Sequence, residues 1–176
     1  MIQPTGIQKK ICMLGTFSVG KTSLVRRFVH NEYTEKYQTS MGVKVDEKSV
    51  RANDQDLILA LWDIYGEDVF QKLQMSYLRG MAGYLLVADG TRRATCDAAL
   101  ALQEKVAAEM RKTAAGKKIP FVFLLNKCDL TDQWEIESDA EKTLEERGWQ
   151  VLRTSAKTGE HVEEAFLRLA TAMTAK

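Results

Sequence analysis

The chain has little with which to staple itself, cross a membrane or swing on a linker. Only three of its 176 residues are cysteines, Cys12, Cys96 and Cys128. They are odd in number, far apart and form no C-x-x-C pair, which argues for a reducing cytosol rather than a disulfide framework. No apolar run approaches the roughly 20 residues that span a bilayer. Ile2 stands where N-myristoylation requires glycine, and the chain closes on Met173-Thr174-Ala175-Lys176 without a cysteine to prenylate. The expectation is a cytoplasmic monomer with no membrane anchor of its own. A formal net charge of +1 excludes a strong global field toward nucleic acid or an anionic membrane. No Cys/His cluster suggests zinc. There is no Pro/Gly/Ser-rich linker and no internal repeat, so residues 1–176 read as one domain, with 1–9 as a flexible N-terminus.

What is present is core and periodicity. Hydrophobic residues make up 45% of the chain, enough for one domain that hides about 70% of its unfolded surface. Apolar runs predict strands at Ile11–Leu14, Gly42–Val50, Leu57–Trp62, Tyr84–Ala88, Phe121–Leu125 and Val151–Leu152. The polar tetrapeptide Ala52-Asn53-Asp54-Gln55 suits a hairpin turn between the second and third. Continuous apolar strands are those buried on both faces of a parallel sheet. Helical spacing covers Lys21–His30, Thr95–Thr113, Glu135–Arg147 and Val162–Ala172. The alternation predicts an α/β layered domain: a mostly parallel six-stranded sheet with one antiparallel edge hairpin and helices on both faces.

The strongest motif is Gly15-Thr16-Phe17-Ser18-Val19-Gly20-Lys21-Thr22, which fits G-x-x-x-x-G-K-[ST] between a strand and a helix. A phosphate chain needs many donors in a small space, and backbone N–H groups of a turn and a helix N-terminus supply them. Lys21 adds charge for β- and γ-phosphates, and the Thr22 hydroxyl suits Mg²⁺. A second motif, Asn126-Lys127-Cys128-Asp129, follows an apolar strand at the edge where such sheets bind ligands. The Asp129 carboxylate matches the N1–H and 2-amino donors of guanine, a pair adenine lacks. Thr154-Ser155-Ala156-Lys157 adds a third loop at the same edge.

The P-loop, Asp63-x-x-Gly66, Asn126-Lys127-x-Asp129 and Ser155-Ala156-Lys157 occur in the order and spacing of the Ras superfamily of small GTPases, which the chain resembles from about Lys10 to Met173. It looks most like the Rab branch, through Met41–Val45, Trp62–Phe70 and Tyr77–Gly80, and like prokaryotic Rab-like GTPases that lack lipidation tails. The resemblance implies a GTP/GDP-binding switch that hydrolyses GTP with Mg²⁺. It implies phosphate contacts from Ser18, Val19, Gly20, Lys21, Thr22, Ser23, Tyr37 and Gly66, and guanine contacts from Tyr33, Asn126, Lys127, Asp129, Ser155, Ala156 and Lys157. Mg²⁺ would be held by Thr22, Ser40 and Asp63, and catalysis would fall to Lys21, Gly66 and Glu67. Effectors, exchange factors and activating proteins would meet segments 33–42 and 66–77.

Four departures fall on the hydrolytic machinery. Phe17 replaces a small P-loop residue, Glu67 the water-orienting glutamine, Tyr65 an alanine, and Ser40 a threonine. They point to slow hydrolysis, with a nucleotide-loaded binding scaffold as the alternative. A P-loop kinase is disfavoured because no arginine-rich lid is evident. Arg26-Arg27 and Lys117-Lys118 read as solvated charge pairs, and Trp62 as either an exposed contact or half-buried packing.

Overall fold

A computed structural model describes residues 6–35, 42–64, 75–113 and 118–175. Its six strands are β1 (Ile7–Leu14), β2 (Val43–Ala52), β3 (Gln55–Ile64), β4 (Gly83–Asp89), β5 (Phe121–Asn126) and β6 (Val151–Thr154). They form one sheet in the order β2-β3-β1-β4-β5-β6, antiparallel only between β2 and β3. The helices are α1 (Lys21–His30), α2 (Met75–Leu78), α3 (Arg93–Thr113), α4 (Ser138–Glu146) and α5 (Val162–Thr174), with a 3-10 turn at Thr131–Gln133. The expected α/β architecture is what the chain adopts.

The central strands are apolar on both faces because both faces are covered. Ile11 and Met13 of β1, Leu85 and Val87 of β4, and Val122 and Leu124 of β5 join Leu24, Phe28, Phe166 and Leu169 from α1 and α5. Their neighbours Cys12, Leu14, Leu86, Ala88, Phe123 and Leu125 join Leu102, Val106, Ile136 and Leu144 on the other side. This is the period-2 alternation of a strand dividing its side chains between two layers. Phe28 and Phe166 stack at 3.9 Å between ring centroids and lock α1 to α5.

Two boundaries, the starts of β1 and α4, differ from the sequence expectation for a local reason, while the hairpin turn falls within the expected Ala52–Gln55. β1 starts at Ile7, so residues 7–9 of the stretch expected to be flexible form a strand paired with Leu57–Leu59, while residues 1–5 lie outside the described residues. Polar Lys10 hides this half of β1; its ammonium sits 3.7 Å from the centroid of the half-buried Trp62 ring and donates to the Arg79 carbonyl at 3.0 Å. The hairpin turn falls at Asn53-Asp54, both in the left-handed region at φ 48° and 59°, as the mirror-image two-residue turn requires. The helix expected from Glu135 begins instead at Ser138. Glu135 is used elsewhere: its carboxylate accepts the Arg93 backbone N–H at 2.7 Å and so closes the start of α3.

Candidate functional site

The loops that follow β1, β5 and β6 converge at the carboxyl edge of the sheet. The loop after β1 is shaped by close packing. Gly15, at φ 152°, lies against the Val87 carbonyl, and Gly20, at φ 101°, against the Asn126 amide; a Cβ at either would collide with these atoms. Gly20 also caps α1, whose N-terminus has no side-chain cap and no acid in its first turn. The first N–H groups of α1 are therefore left to be met by something outside the helix.

The loop is anchored by its carbonyls. Lys21 donates to the Gly15 and Thr16 carbonyls at 3.0 and 2.9 Å, spanning the loop from within. Asn126 Nδ2 donates to the Val19 carbonyl at 3.0 Å, and Lys127 Nζ to Ser18 at 3.2 Å. Arg92 reaches Ser18 at 3.0 Å and Phe17 at 3.4 Å. With these acceptors engaged, the donors of the loop and of the first turn of α1 are what an anion would meet. Lys21 is buried, and burial pushes its pKa down to about 8 against the smaller upward pull of Asp63. Such an ammonium gains from incoming negative charge. Phe17 is exposed at the loop's tip.

Asp63, the penultimate residue of β3, accepts a hydrogen bond from the Thr22 hydroxyl at 2.5 Å. It is only 4% exposed, and burial pushes its pKa up, opposed by Thr22 and Lys21. A buried carboxylate beside a hydroxyl is a pair of hard oxygens still short of positive charge. The pair fits Mg²⁺, which takes one or two protein oxygens and completes its shell with phosphate and water. Tyr37, Ser40, Tyr65, Gly66 and Glu67 lie outside the described residues.

A cleft of about 130 Å³ beside the loop is lined by Gly20, Ser23, Tyr33, Lys127, Asp129 and Lys157, among others. Its floor is fixed by Asn126, whose Oδ1 accepts from the Thr154 hydroxyl at 3.2 Å and the Ala156 N–H at 3.3 Å. The fully buried Ser155 hydroxyl donates to Asp129 Oδ1 at 2.6 Å and accepts from the Thr158 N–H at 3.0 Å, which fixes the Asp129 carboxylate at the cleft. Lys157 pairs with Glu35 at 3.1 Å across the rim, and Tyr33 is partly exposed beside it. The described residues of both motifs thus meet at one place.

Two groups that sequence reasoning missed hold the halves together. Asp89, at the end of β4 and 1% exposed, accepts from Lys127 at 2.6 Å, from Arg92 at 2.9 Å and from the Thr91 hydroxyl at 2.7 Å. Burial alone would raise its pKa; the bonds from Lys127, Thr91 and Arg92 outweigh it and hold the carboxyl below its ordinary value. The signal was an acid directly after the apolar run Tyr84–Ala88. Arg27, read from sequence as part of a solvated pair, instead donates to the Ala156 and Lys157 carbonyls at 2.8 and 2.7 Å. It ties the far end of α1 to the loop after β6.

The arrangement offers donors and charge for a polyphosphate beside a cleft with a fixed carboxylate for a base. Comparison with known proteins identifies the family. Residues 10–175 match the model of the Ras family. The chain is 33% identical over 160 residues to the Ras-related protein Rab-4 of Dictyostelium discoideum, covering 90% of this chain and 76% of that protein. It is 35% identical over 161 residues to the Ras-related protein RABA6b of Arabidopsis thaliana, covering 91% and 68%. It is 33% identical over 162 residues to human Ras-related protein Rab-4B, covering 92% and 74%. On the strength of that match and of the loops that carry it, the chain belongs to the Ras family and is a Rab-like, GTP-binding small GTPase.

Proposed function

We propose that the protein is a GTP/GDP switch that hydrolyses GTP slowly and acts by binding effector proteins in one nucleotide state. The observation that carries this reading is the convergence of the Gly15–Lys21 loop with Asp129 and Ser155 at one edge of the sheet. Lys21 neutralises β- and γ-phosphate charge, while N–H groups from Ser18 to Ser23 wrap the phosphates. Asp129 pairs with N1–H and the 2-amino group of guanine. One of its oxygens is held by Ser155, so adenine would leave the other facing the base without a donor. Asn126 and Ala156 frame the base from below, Lys127 and Tyr33 flank it, and Lys157 closes the rim with Glu35. Thr22 and Asp63, with Ser40, hold Mg²⁺, which when bound neutralises the phosphate oxygens. Gly66 is assigned to the γ-phosphate, Tyr37 to covering it and Glu67 to the attacking water. Regulators and effectors engage segments 33–42 and 66–77, and the protein works as a cytoplasmic monomer built on a single domain.

Slow turnover rests on two residues. Phe17 stands exposed at the loop tip, in the space an arginine finger needs, and Glu67 brings a negative charge where the family uses glutamine. The same two residues favour a second reading, a nucleotide-loaded scaffold with little hydrolysis. Mass determination of the co-purified nucleotide, followed by single-turnover GTP hydrolysis, tests both. Guanine nucleotide with slow phosphate release supports the switch, and no release over hours supports the scaffold. An adenine nucleotide overturns both.

A further inference from the structure

We propose that the end of the sheet remote from the nucleotide loops carries a second ligand site, one that takes a small organic anion with a flat apolar body. The site is a recess of about 600 Å³ between α3, β4, β5 and the segment joining α4 to β6. That volume lies within the range of small-molecule sites.

Its floor is aromatic. Tyr84 and Phe121 lie nearly parallel, with ring centroids 5.0 Å apart, and Trp149 meets Phe121 edge-on at 4.9 Å. Phe121 and Trp149 are only half-buried, so the recess leaves aromatic surface open to an apolar guest. Its rim is cationic: Arg111, Lys118 and Arg147 are all exposed and all line the same recess, and among the described residues no acid lines it. Among the described residues none of the three forms an ion pair. Arg111 lies in the last turn of α3 and Arg147 caps α4, where cations complement the helix dipole. The dipole accounts for two of the charges. It does not account for Lys118, which precedes a strand, or for the open aromatic floor that the three charges surround.

An apolar floor under a cationic rim selects a ligand with an apolar body and a negative head, such as an aromatic carboxylate, sulfonate or phosphate ester. The site is separate from the nucleotide loops. Tyr84 and Phe121 open β4 and β5, whose opposite ends carry Asp89 and Asn126, about 17 Å away at the rise of a strand.

The test titrates the full chain with 1-anilinonaphthalene-8-sulfonate, an anionic aromatic dye, in the presence and absence of excess GDP. Saturable binding of one dye per chain, unchanged by GDP, is expected. N-phenyl-1-naphthylamine, which has a similar body without the charge, should bind at least about tenfold more weakly. The double variant Lys118→Glu/Arg147→Glu should lose at least about tenfold in dye affinity, while Arg51→Glu, the reversal of one charge beside the hairpin turn, should not. Thermal unfolding of both variants checks that the fold is kept; if the double variant is unfolded, Trp149→Leu is used in its place, with the same loss expected. Absence of binding, displacement by GDP, equal affinity for the neutral dye, or indifference to these substitutions would each overturn the proposal.

Discussion

Replacing Asp89 by alanine should cost more than replacing either residue that neutralises it, and the ratio can be worked from the geometry. Asp89 is 1% exposed and takes bonds from Lys127, Arg92 and Thr91. Its removal leaves the Lys127 ammonium and the Arg92 guanidinium facing one another, with side chains 32% and 45% exposed. Breaking a buried pair from one side costs 3–5 kcal/mol, and partial hydration of these partners puts Asp89→Ala near the lower end, about 3 kcal/mol. Arg92→Ala leaves Asp89 still bonded to Lys127 and Thr91, so what is lost is a half-exposed pair and two exposed bonds to the Phe17 and Ser18 carbonyls, about 1 kcal/mol. At about 2–4 °C per kcal/mol for a domain of this size, the melting temperatures should fall by about 6–12 °C and about 2–4 °C. GDP must be held at a fixed large excess, because bound ligand itself shifts the midpoint. Asp89→Ala should also release a fluorescent GDP analogue about tenfold faster, equivalent to about 1.4 kcal/mol, because Lys127 loses the anchor that holds it on Ser18 and beside the base. If the two variants are equally destabilised, or if dissociation from Asp89→Ala is unchanged, Asp89 is not the node that joins the two halves of the site.

Three further outcomes are expected. Asp129→Ala should weaken GDP binding by at least about 2 kcal/mol, with no comparable change for ADP; equal affinity of the parent for GDP and ADP would remove Asp129 as the selectivity group. Burial pushes the Lys21 ammonium of the nucleotide-free fold down to about 8 from its ordinary 10.5, and an incoming phosphate would raise it again. GDP binding should therefore take up a proton above pH 8, and affinity should fall as pH rises from there, by up to about tenfold per unit. The same depressed pKa means that the nucleotide-free fold gains stability as pH rises from about 8 toward 10.5. Calorimetry in two buffers of different ionisation enthalpy reads the proton directly, and no uptake would refute the assignment. Finally, Phe17→Gly with Glu67→Gln should raise single-turnover hydrolysis, and only variants lacking Phe17 should respond to an arginine-finger activator, worth roughly 10³–10⁵ in rate. A parent already fast on its own would contradict this.

Much of this was legible in the sequence because the relevant signals are local. Helix α1 was read at its observed bounds, Lys21–His30, since a P-loop fixes its start and the apolar spacing its face. The two-layer burial of β4 and β5 followed from unbroken apolar runs. What escaped was made by contacts between distant segments. Nothing local says that Arg27 turns toward Ala156, 129 residues on, or that Arg92 reaches back 74 residues to Ser18. The outer half of β1 escaped because its strand character comes from pairing with β3 rather than from apolar content. The aromatic recess escaped because Tyr84, Phe121 and Trp149 are ordinary core residues until three elements bring them together.

The anchoring of the P-loop by Asn126 and Lys127 also has a consequence for how the protein is made. The bonded pairs Val19–Asn126 and Ser18–Lys127 are 107 and 109 residues apart. At ribosomal rates of about 5–20 residues per second, the loop is exposed for roughly 5–20 s before its anchors are even synthesised. A nascent chain halted before β5 would carry the phosphate-binding sequence without the means to hold its shape. A nucleotide bound as proposed would then be captured only after β5 and its following loop are made, and would act as a folding ligand that draws together segments 107 and 109 residues apart.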